Sequence, residues 1–359
     1  MRTWLALALC GCLSKPGPAR FLGRTWTKHH ELNFAAPGQL FVPKLVYDES
    51  IGKVLLYGGE YSQSPPYWSS SMYELDSDGW TQVCGGQTAC PPGGRSDFGF
   101  VYDPQGRRSI LFGGESDDTG TETTLADGWA YAGGTWQSLP SLTIPPMQDI
   151  HMVYDTNAQR ALIVVGFSLQ TAPEQGVYTI SASDVTTFTE LSGGQQVADR
   201  NATGAYDPTR DRVLAFPGID PFGGYYRSMA SYSPDTGQWT TLCDSCLPAP
   251  ERKTPAMVFD RQYGNVVMIG GLEIDDSTHE NDVLGWNDDE AQFDQLAELG
   301  EPRSGAGAAY DASTDTIVLY GGGTDLATTD PDCPLADSAQ GQYAYCADTW
   351  LGTPNFAAD

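Results

Sequence analysis

Six copies of one strand–turn–strand pattern, nearly evenly spaced and rich in turn residues, predict an all-β fold: a six-bladed β-propeller of four-stranded antiparallel blades. The copies are "VYDESIGKVLLYGGE" from Val46, "VYDPQGRRSILFGGE" from Val101, "VYDTNAQRALIVVGF" from Val153, "AYDPTRDRVLAFPGI" from Ala205, "VFDRQYGNVVMIGGL" from Val258 and "AYDASTDTIVLYGGG" from Ala309. Their aspartates, Asp48, Asp103, Asp155, Asp207, Asp260 and Asp311, lie 51 to 55 residues apart. A period of that size belongs to repeat arrays and propellers. The 41 glycines and 24 prolines in 359 residues fit many turns and little long helix.

Each unit, numbered one to six along the chain, reads as β throughout. A short apolar strand ends in Tyr-Asp or Phe-Asp, and a tight turn such as Pro104-Gln105-Gly106-Arg107 follows. The second strand is a near-continuous apolar run, such as Val54-Leu55-Leu56-Tyr57, the pattern of a strand buried on both faces. It is expected to stop at Gly58-Gly59, Gly113-Gly114, Gly270-Gly271 and Gly321-Gly322, where the chain turns sharply or another backbone comes close. Units three and four have Val165-Gly166 and Pro217-Gly218 instead. After a variable loop, "YSPDTGQWTTL" shows the last two strands, with Tyr232 and Trp239 on either side of Pro234-Asp235-Thr236-Gly237. Tyr73 and Trp80 share that spacing, as do Trp286 and Phe293, whereas Tyr178 and Phe188 of unit three are spaced more loosely.

The double glycine after the second strand, with an aromatic on each of strands three and four, resembles the kelch repeat. The resemblance runs in register through nearly the whole chain after its first 20 residues. It implies that each unit is one blade of a galactose-oxidase-like propeller. The sixth unit stops at "ADTWLGTPNFAAD" with only three strands, while "GRTWTKH" near the start has the character of a fourth. Residues 24–30 are therefore expected to pair onto the last blade, with Trp26 in the place that Trp239 has in unit four, leaving no free edge. The domain reading is a leader and tether over 1–20 and one propeller over 21–359.

The leader reads MRTWLALALCGC, in which Leu9-Cys10-Gly11-Cys12 looks like a bacterial lipobox with Cys12 as the lipidated residue. An ordinary cleaved signal or a buried N-terminal strand is the alternative. The expected location is the bacterial cell envelope, as a lipoprotein or in the periplasmic or extracellular space. The six remaining cysteines fall into close pairs, Cys84 with Cys90, Cys243 with Cys246 and Cys333 with Cys346, which read as disulfides of an oxidising compartment. "CDSC" is also compatible with a redox dithiol or half a zinc site. The formal charge of −27, from 46 acids and 19 bases, argues against nucleic acid or an anionic membrane as partner.

In a four-stranded meander the loops between strands two and three share a face with the connections between blades. These are the long segments, and all three cysteine pairs lie in them, so that face is the expected binding face. It carries Tyr67 and Trp68 in "PPYW" and Phe222, Tyr225 and Tyr226 in "PFGGYY", rings that suit sugars or protein anchors or that pack the loops down. Arg95, Arg200, Arg252 and Arg303 each precede a first strand by a similar distance. They are expected either to ring the channel mouth and clasp an acidic ligand or to bridge neighbouring blades. Asp117-Asp118, Asp275-Asp276, Asp325, Asp330 and Asp332 are solvated loop acids or Ca²⁺ ligands without an EF-hand spacing. No other cofactor or metal is expected. The four histidines, His29, His30, His151 and His279, form no HExxH pattern and no triad by motif.

The expected function is a non-catalytic, monomeric binding propeller on the envelope that recognises a glycan or a protein. Its membrane contact would be only a lipid anchor. The resemblance also admits an enzyme acting on a carbohydrate, mutarotase- or epimerase-like before copper-oxidase-like. The cysteine reading has a direct test. Mass mapping of the non-reduced protein is expected to recover Cys84–Cys90, Cys243–Cys246 and Cys333–Cys346, whereas free thiols or links between blades would contradict it.

Overall fold

The computed structural model describes residues 21–30, 36–61, 68–86, 88–116, 122–140, 144–167, 177–181, 188–191, 203–216, 228–244, 246, 251–273, 275, 278–325, 330–334 and 343–356. These residues form a ring of antiparallel sheets resembling a β-propeller, with no helix among them. Unit one is the sheet of Lys44–Asp48, Lys53–Tyr57, Met72–Asp76 and Gly79–Cys84, in chain order. The next three units repeat it, beginning with Gly99–Asp103, Gln148–Asp155 and Thr203–Asp207. Unit five adds a strand, because Arg252–Lys253 and Ala256–Asp260 both pair with Asn265–Glu273. In unit six, Gly307–Asp311 and Thr316–Tyr320 are followed by Asp348–Phe356, on which Phe21–His30 pairs. The first strands of consecutive units touch, and that of unit six touches that of unit one.

The repeated aspartates close the turn after each first strand. The Asp103 carboxylate accepts the amides of Gln105 and Gly106 at 3.1 and 3.0 Å, and Asp155 accepts those of Asn157 and Ala158 at 3.0 and 2.9 Å. A carboxylate that takes up turn amides fixes a short loop without helix or sheet partners. In units two and three a cation on the second strand neutralises it, Arg108 on Asp103 and Arg160 on Asp155, each at 3.0 Å. Unit five has Asn265 at that place, and Arg24 of the N-terminal strand supplies the cation. Its Nε and Nη2 donate to Asp260 at 2.6 and 2.7 Å, and its Nη1 donates to the carbonyls of Asp315 and Gly352.

The apolar runs are continuous because each strand is shared by two interfaces. Val46 and Leu55 pack with Phe98, Phe100 and Leu111 of unit two, while Leu45, Val54 and Leu56 pack with Ala309, Val318 and Tyr320 of unit six. Alternate residues of a strand face opposite sides, so both sides being buried leaves no polar position.

The double glycines mark where the next unit crosses. Gly59 donates its amide to the Arg95 carbonyl at 3.1 Å, Gly114 to Met147 at 2.8 Å and Gly271 to Arg303 at 2.8 Å. Gly322 donates to Leu40 of unit one at 2.8 Å, the same bond carried from unit six to unit one. A Cβ on Gly58 would stand 2.7 Å from the Arg95 carbonyl oxygen, and one on Gly321 would stand 2.5 Å from that of Leu40, so only glycine admits the crossing. Unit five departs from the expected stop at the glycines. Its second strand runs on through Gly270-Gly271 to Glu273, because Arg252–Lys253 and His279 give the extension partners.

Residues 24–30 lie on the last sheet, with Trp26 opposite Gly352 and Lys28 opposite Trp350. A Cβ at Gly352 would meet the Trp26 indole at 2.9 Å. Lys28 enters a carboxylate cage, with Glu301 at 2.9 Å, Asp348 at 3.1 Å and Asp330 in direct contact. The cage is bounded by the Cys333–Cys346 disulfide, one of three that form as expected with Cys84–Cys90 and Cys243–Cys246. The Tyr73–Trp80 spacing misleads in unit one. A two-residue turn, Ser77-Asp78, sets Leu75 opposite Trp80, whereas the longer turn of unit four sets Tyr232 opposite Trp239 with ring centroids 5.2 Å apart.

Arg24 ties the N-terminal strand to units five and six at once. Arg24→Ala leaves the buried Asp260 uncompensated and is expected to cost about 3–5 kcal/mol in a denaturant titration. Adding Asp260→Asn, which keeps the turn amides bonded, is expected to recover part of the loss. A single variant within 0.5 kcal/mol of the parent, taken as roughly the scale of a neutral surface change, would contradict the tie.

Candidate ligand-binding funnel

The first strands stand side by side around a cavity of about 620 Å³ that residues of all six units line. Its rim has a repeated backbone device. Val42, Asp97, Asp149, Thr254 and Gly305 each lie five residues before the aromatic of a Tyr-Asp or Phe-Asp pair, and all five have left-handed backbone, with φ of 47°, 53°, 54°, 52° and 59°. Amides and carbonyls of these turns join neighbouring units: Val42 donates to Gly305 at 2.7 Å, and Gly305 donates to Thr254 at 2.8 Å. Four non-glycine residues in this region carry strain of roughly 1–3 kcal/mol each, which the surrounding strands must over-determine. The turn brings Asp97 and Asp149 to the funnel wall.

Glu60 and Glu115 directly follow the double glycines of units one and two. The carboxylates of Glu60, Asp97 and Glu115 come within 4.8 Å of one another. Glu115 exchanges backbone hydrogen bonds with Ser96 at 3.0 and 3.2 Å, which locks its position beside Asp97. Burial, with Asp97 as the main neighbouring charge, pushes the Glu60 carboxyl up to about 8. Burial and a hydrogen bond with Glu122 push Glu115 up to about 9, and burial raises Asp97 as well. Crowded carboxyls away from water keep protons because neighbouring negative charges repel. Three carboxylates within this distance are also a donor set for a hard cation.

Below the rim, Lys44 and His151 line the funnel. Burial lowers Lys44, with Asp97 and Asp149 pulling the other way. Burial, and then Lys44, hold His151 down at about 3, so its imidazole is neutral. Its Nε2 is buried without a hydrogen-bond partner.

The arginines found by spacing lie elsewhere. Arg95, Arg252 and Arg303 are almost fully buried, and none lines the funnel. Nor do their ion pairs bridge blades, because each guanidinium reaches an aspartate at or near the start of the third strand of its own unit. Arg95 pairs with Asp127 at 2.9 Å, Arg252 with Asp282 through a 3.0 Å bond, and Arg303 with Asp348 in direct contact. Burial alone would raise Asp127, but Arg95 and the Trp129 indole outweigh it and hold the carboxyl below the usual range. Arg200, Tyr67, Phe222, Tyr225, Tyr226 and Cys12 lie outside the described residues. Trp68 is half-buried and its backbone bridges Glu60, so this aromatic adjoins the carboxyl cluster. Of the loop acids, Asp117, Asp118 and Asp276 also lie outside the described residues, Asp325 meets His279 at 2.7 Å, and Asp330 and Asp332 face Lys28. Sequence reasoning passed over Glu60 and Glu115, although "GGE" occurs only in units one and two.

No protein-family description matches the chain, and no characterised relative matches it by sequence. Among solved structures it is similar to the one titled "Structure of YjhT", with a TM-score of 0.64 and 13% identity over 90% of this chain and 99% of that one. The likeness is one of fold.

The raised carboxyls give stability a defined pH dependence. Between the usual glutamate range of about 4.3 and about 8 to 9, the folded protein holds protons that the unfolded chain has lost. Their contribution is complete at the acidic end of that window and is lost as pH rises through it. The melting temperature is expected to fall from pH 6 to pH 9, and Glu115→Gln is expected to flatten that fall. An unchanged slope in the variant would contradict the protonated cluster.

Proposed function

We propose that the chain is an exported, closed six-bladed propeller of the kelch type that binds a small polyhydroxylated molecule, of saccharide chemistry, in its central funnel. The observation that carries this reading is the cluster of Glu60, Asp97 and Glu115, whose Asp97 lines a 620 Å³ cavity. A protonated carboxyl donates one hydrogen bond and accepts others, which matches a hydroxyl that does the same, and a site that leaves such groups unpaired rejects the wrong ligand. The volume falls within the range of small-molecule sites. The cluster follows the second strands, so it lies on the face with the long loops and Trp68.

Closure is supported by the Gly322 to Leu40 bond, which repeats the bond between other neighbours, and by the pairing of Phe21–His30 with Asp348–Phe356. The three disulfides agree with an oxidising compartment. A second reading, an enzyme acting on the same class of molecule, is favoured by one feature. A carboxyl with a raised pKa such as Glu115 is suited to general acid work near neutral pH.

Titration calorimetry of glycan-array hits separates these readings from the loop alternative. Glu115→Ala and Glu60→Ala are expected to weaken binding at least tenfold, about 1.4 kcal/mol, and affinity is expected to decline as pH rises through about 8 to 9 and the cluster ionises. A ligand indifferent to both variants but sensitive to Trp68→Ala would move the site to the aromatic loops. Conversion of the bound saccharide, abolished by Glu115→Gln, would favour the enzyme.

A further inference from the structure

Lys44 differs from the other described lysines whose partners are seen. Lys28 sits among carboxylates, and Lys53 pairs with Glu74 at 3.0 Å and with Asp76 at 3.3 Å. Lys44 is half-buried on the funnel wall, at the start of the first strand of unit one, opposite Tyr57. Its ammonium makes no hydrogen bond or close ion pair with a described residue. The groups that act on it are Asp97 of unit two and Asp149 and His151 of unit three, which face the same cavity. This primary amine borders a space large enough for a small molecule, with carboxyl groups beside it.

We propose that Lys44 captures the carbonyl group of a small aldehyde or ketone, including the open-chain form of a reducing sugar, as a protonated imine. The inference rests on the funnel being the ligand site and adds the bond by which one class of ligand is held. Lys44 first gives up a proton to a neighbouring carboxylate, Asp149 being placed for this. The Nζ lone pair then adds to the carbonyl carbon while the C=O π pair moves to oxygen, and a proton passes from nitrogen to that oxygen, giving a neutral carbinolamine. Asp97 donates a proton to the hydroxyl, which leaves as water, and the nitrogen lone pair forms the C=N bond. The sum is R₂C=O plus Lys-NH₃⁺ giving R₂C=NH⁺-Lys plus H₂O, with no oxidant or reductant and no net proton change. Burial supports this chemistry by disfavouring the ammonium, as in other imine-forming lysines. The neutral His151 adds no competing positive charge.

Glyceraldehyde is a suitable probe, with cyanoborohydride to reduce the imine to a stable amine and peptide mapping to locate it. In the intact protein at pH 7.5 the adduct is expected on Lys44 at least ten times faster than on Lys53. It is expected to be absent at that position in Lys44→Met, and the Lys44 preference is expected to vanish when the wild-type chain is labelled unfolded. Labelling of Lys44 no faster than Lys53 in the folded protein would overturn the proposal. If that result comes with saccharide binding intact, the imine alone fails. If it comes with no saccharide bound by the wild-type protein, the funnel reading fails with it.

Discussion

The amide of the second glycine in a pair reaches across to the next unit just before that unit's first strand, and the geometry of the funnel depends on that bond. It fixes how close one unit's chain comes to the end of its neighbour's second strand. A side chain on the first glycine would collide with the incoming carbonyl, as the 2.7 Å separation at Gly58 and the 2.5 Å separation at Gly321 show. With the crossing fixed, the incoming chain has few residues in which to turn into its first strand. The left-handed positions at Val42, Asp97, Asp149 and Thr254 make that turn. The same constraint therefore sets the wall of the cavity and places Asp97 and Asp149 on it. It also sends the residue after the glycines, which in units one and two is a glutamate, to the side of Asp97.

Charge is divided between two kinds of place. The chain has few bases for its acids, 19 against 46, and several of the bases are spent inside. Arg95, Arg252 and Arg303 each neutralise an aspartate at or near the start of a third strand, and Arg24 and Lys28 carry the N-terminal strand into carboxylates of the last two units. Burying one member of such a pair without the other is far costlier than burying neither, so these pairs specify which strand belongs where. In the cluster of Glu60, Asp97 and Glu115 the acids instead crowd one another. Glu60 and Glu115 are pushed up by burial and by neighbouring carboxyls, and burial raises Asp97 although Lys44 pulls it the other way. The two arrangements distinguish acids paired with a buried cation from acids crowded against one another.

Much of the fold was legible because it repeats. Six aspartates at one interval, apolar second strands and turn residues between paired aromatics gave the strand order within a unit. The lone Trp26 segment and the incomplete last unit gave the pairing of the two chain ends. The local register was less legible: Tyr73 and Trp80 have the spacing of Tyr232 and Trp239, but a shorter turn shifts their pairing by two residues. The site was hardly legible at all. The arginines stood out because they recur, yet recurrence marked a structural clasp, with the partner aspartates Asp127, Asp282 and Asp348 as its unread half. Glu60 and Glu115 were hidden inside the repeat itself, since a residue found in two units of six looks like variation until the closeness of neighbouring units is known. Lys44 and His151 belong to no motif, and only the packing of six first strands around one axis brings them to a common space.

The central claim is that the rim carboxyls hold protons at neutral pH and so form a hydrogen-bonding surface for a neutral ligand. Carbon-13 NMR of side-chain carboxyls in glutamate-labelled protein, with Glu60→Gln and Glu115→Gln assigning the signals, follows their ionisation directly. Two glutamate signals are expected to titrate above pH 7, well clear of the remainder, and to move again when a saccharide binds. If every glutamate instead titrates near the ordinary value of about 4.3, the rim is a set of ionised acids and the account of the funnel is contradicted.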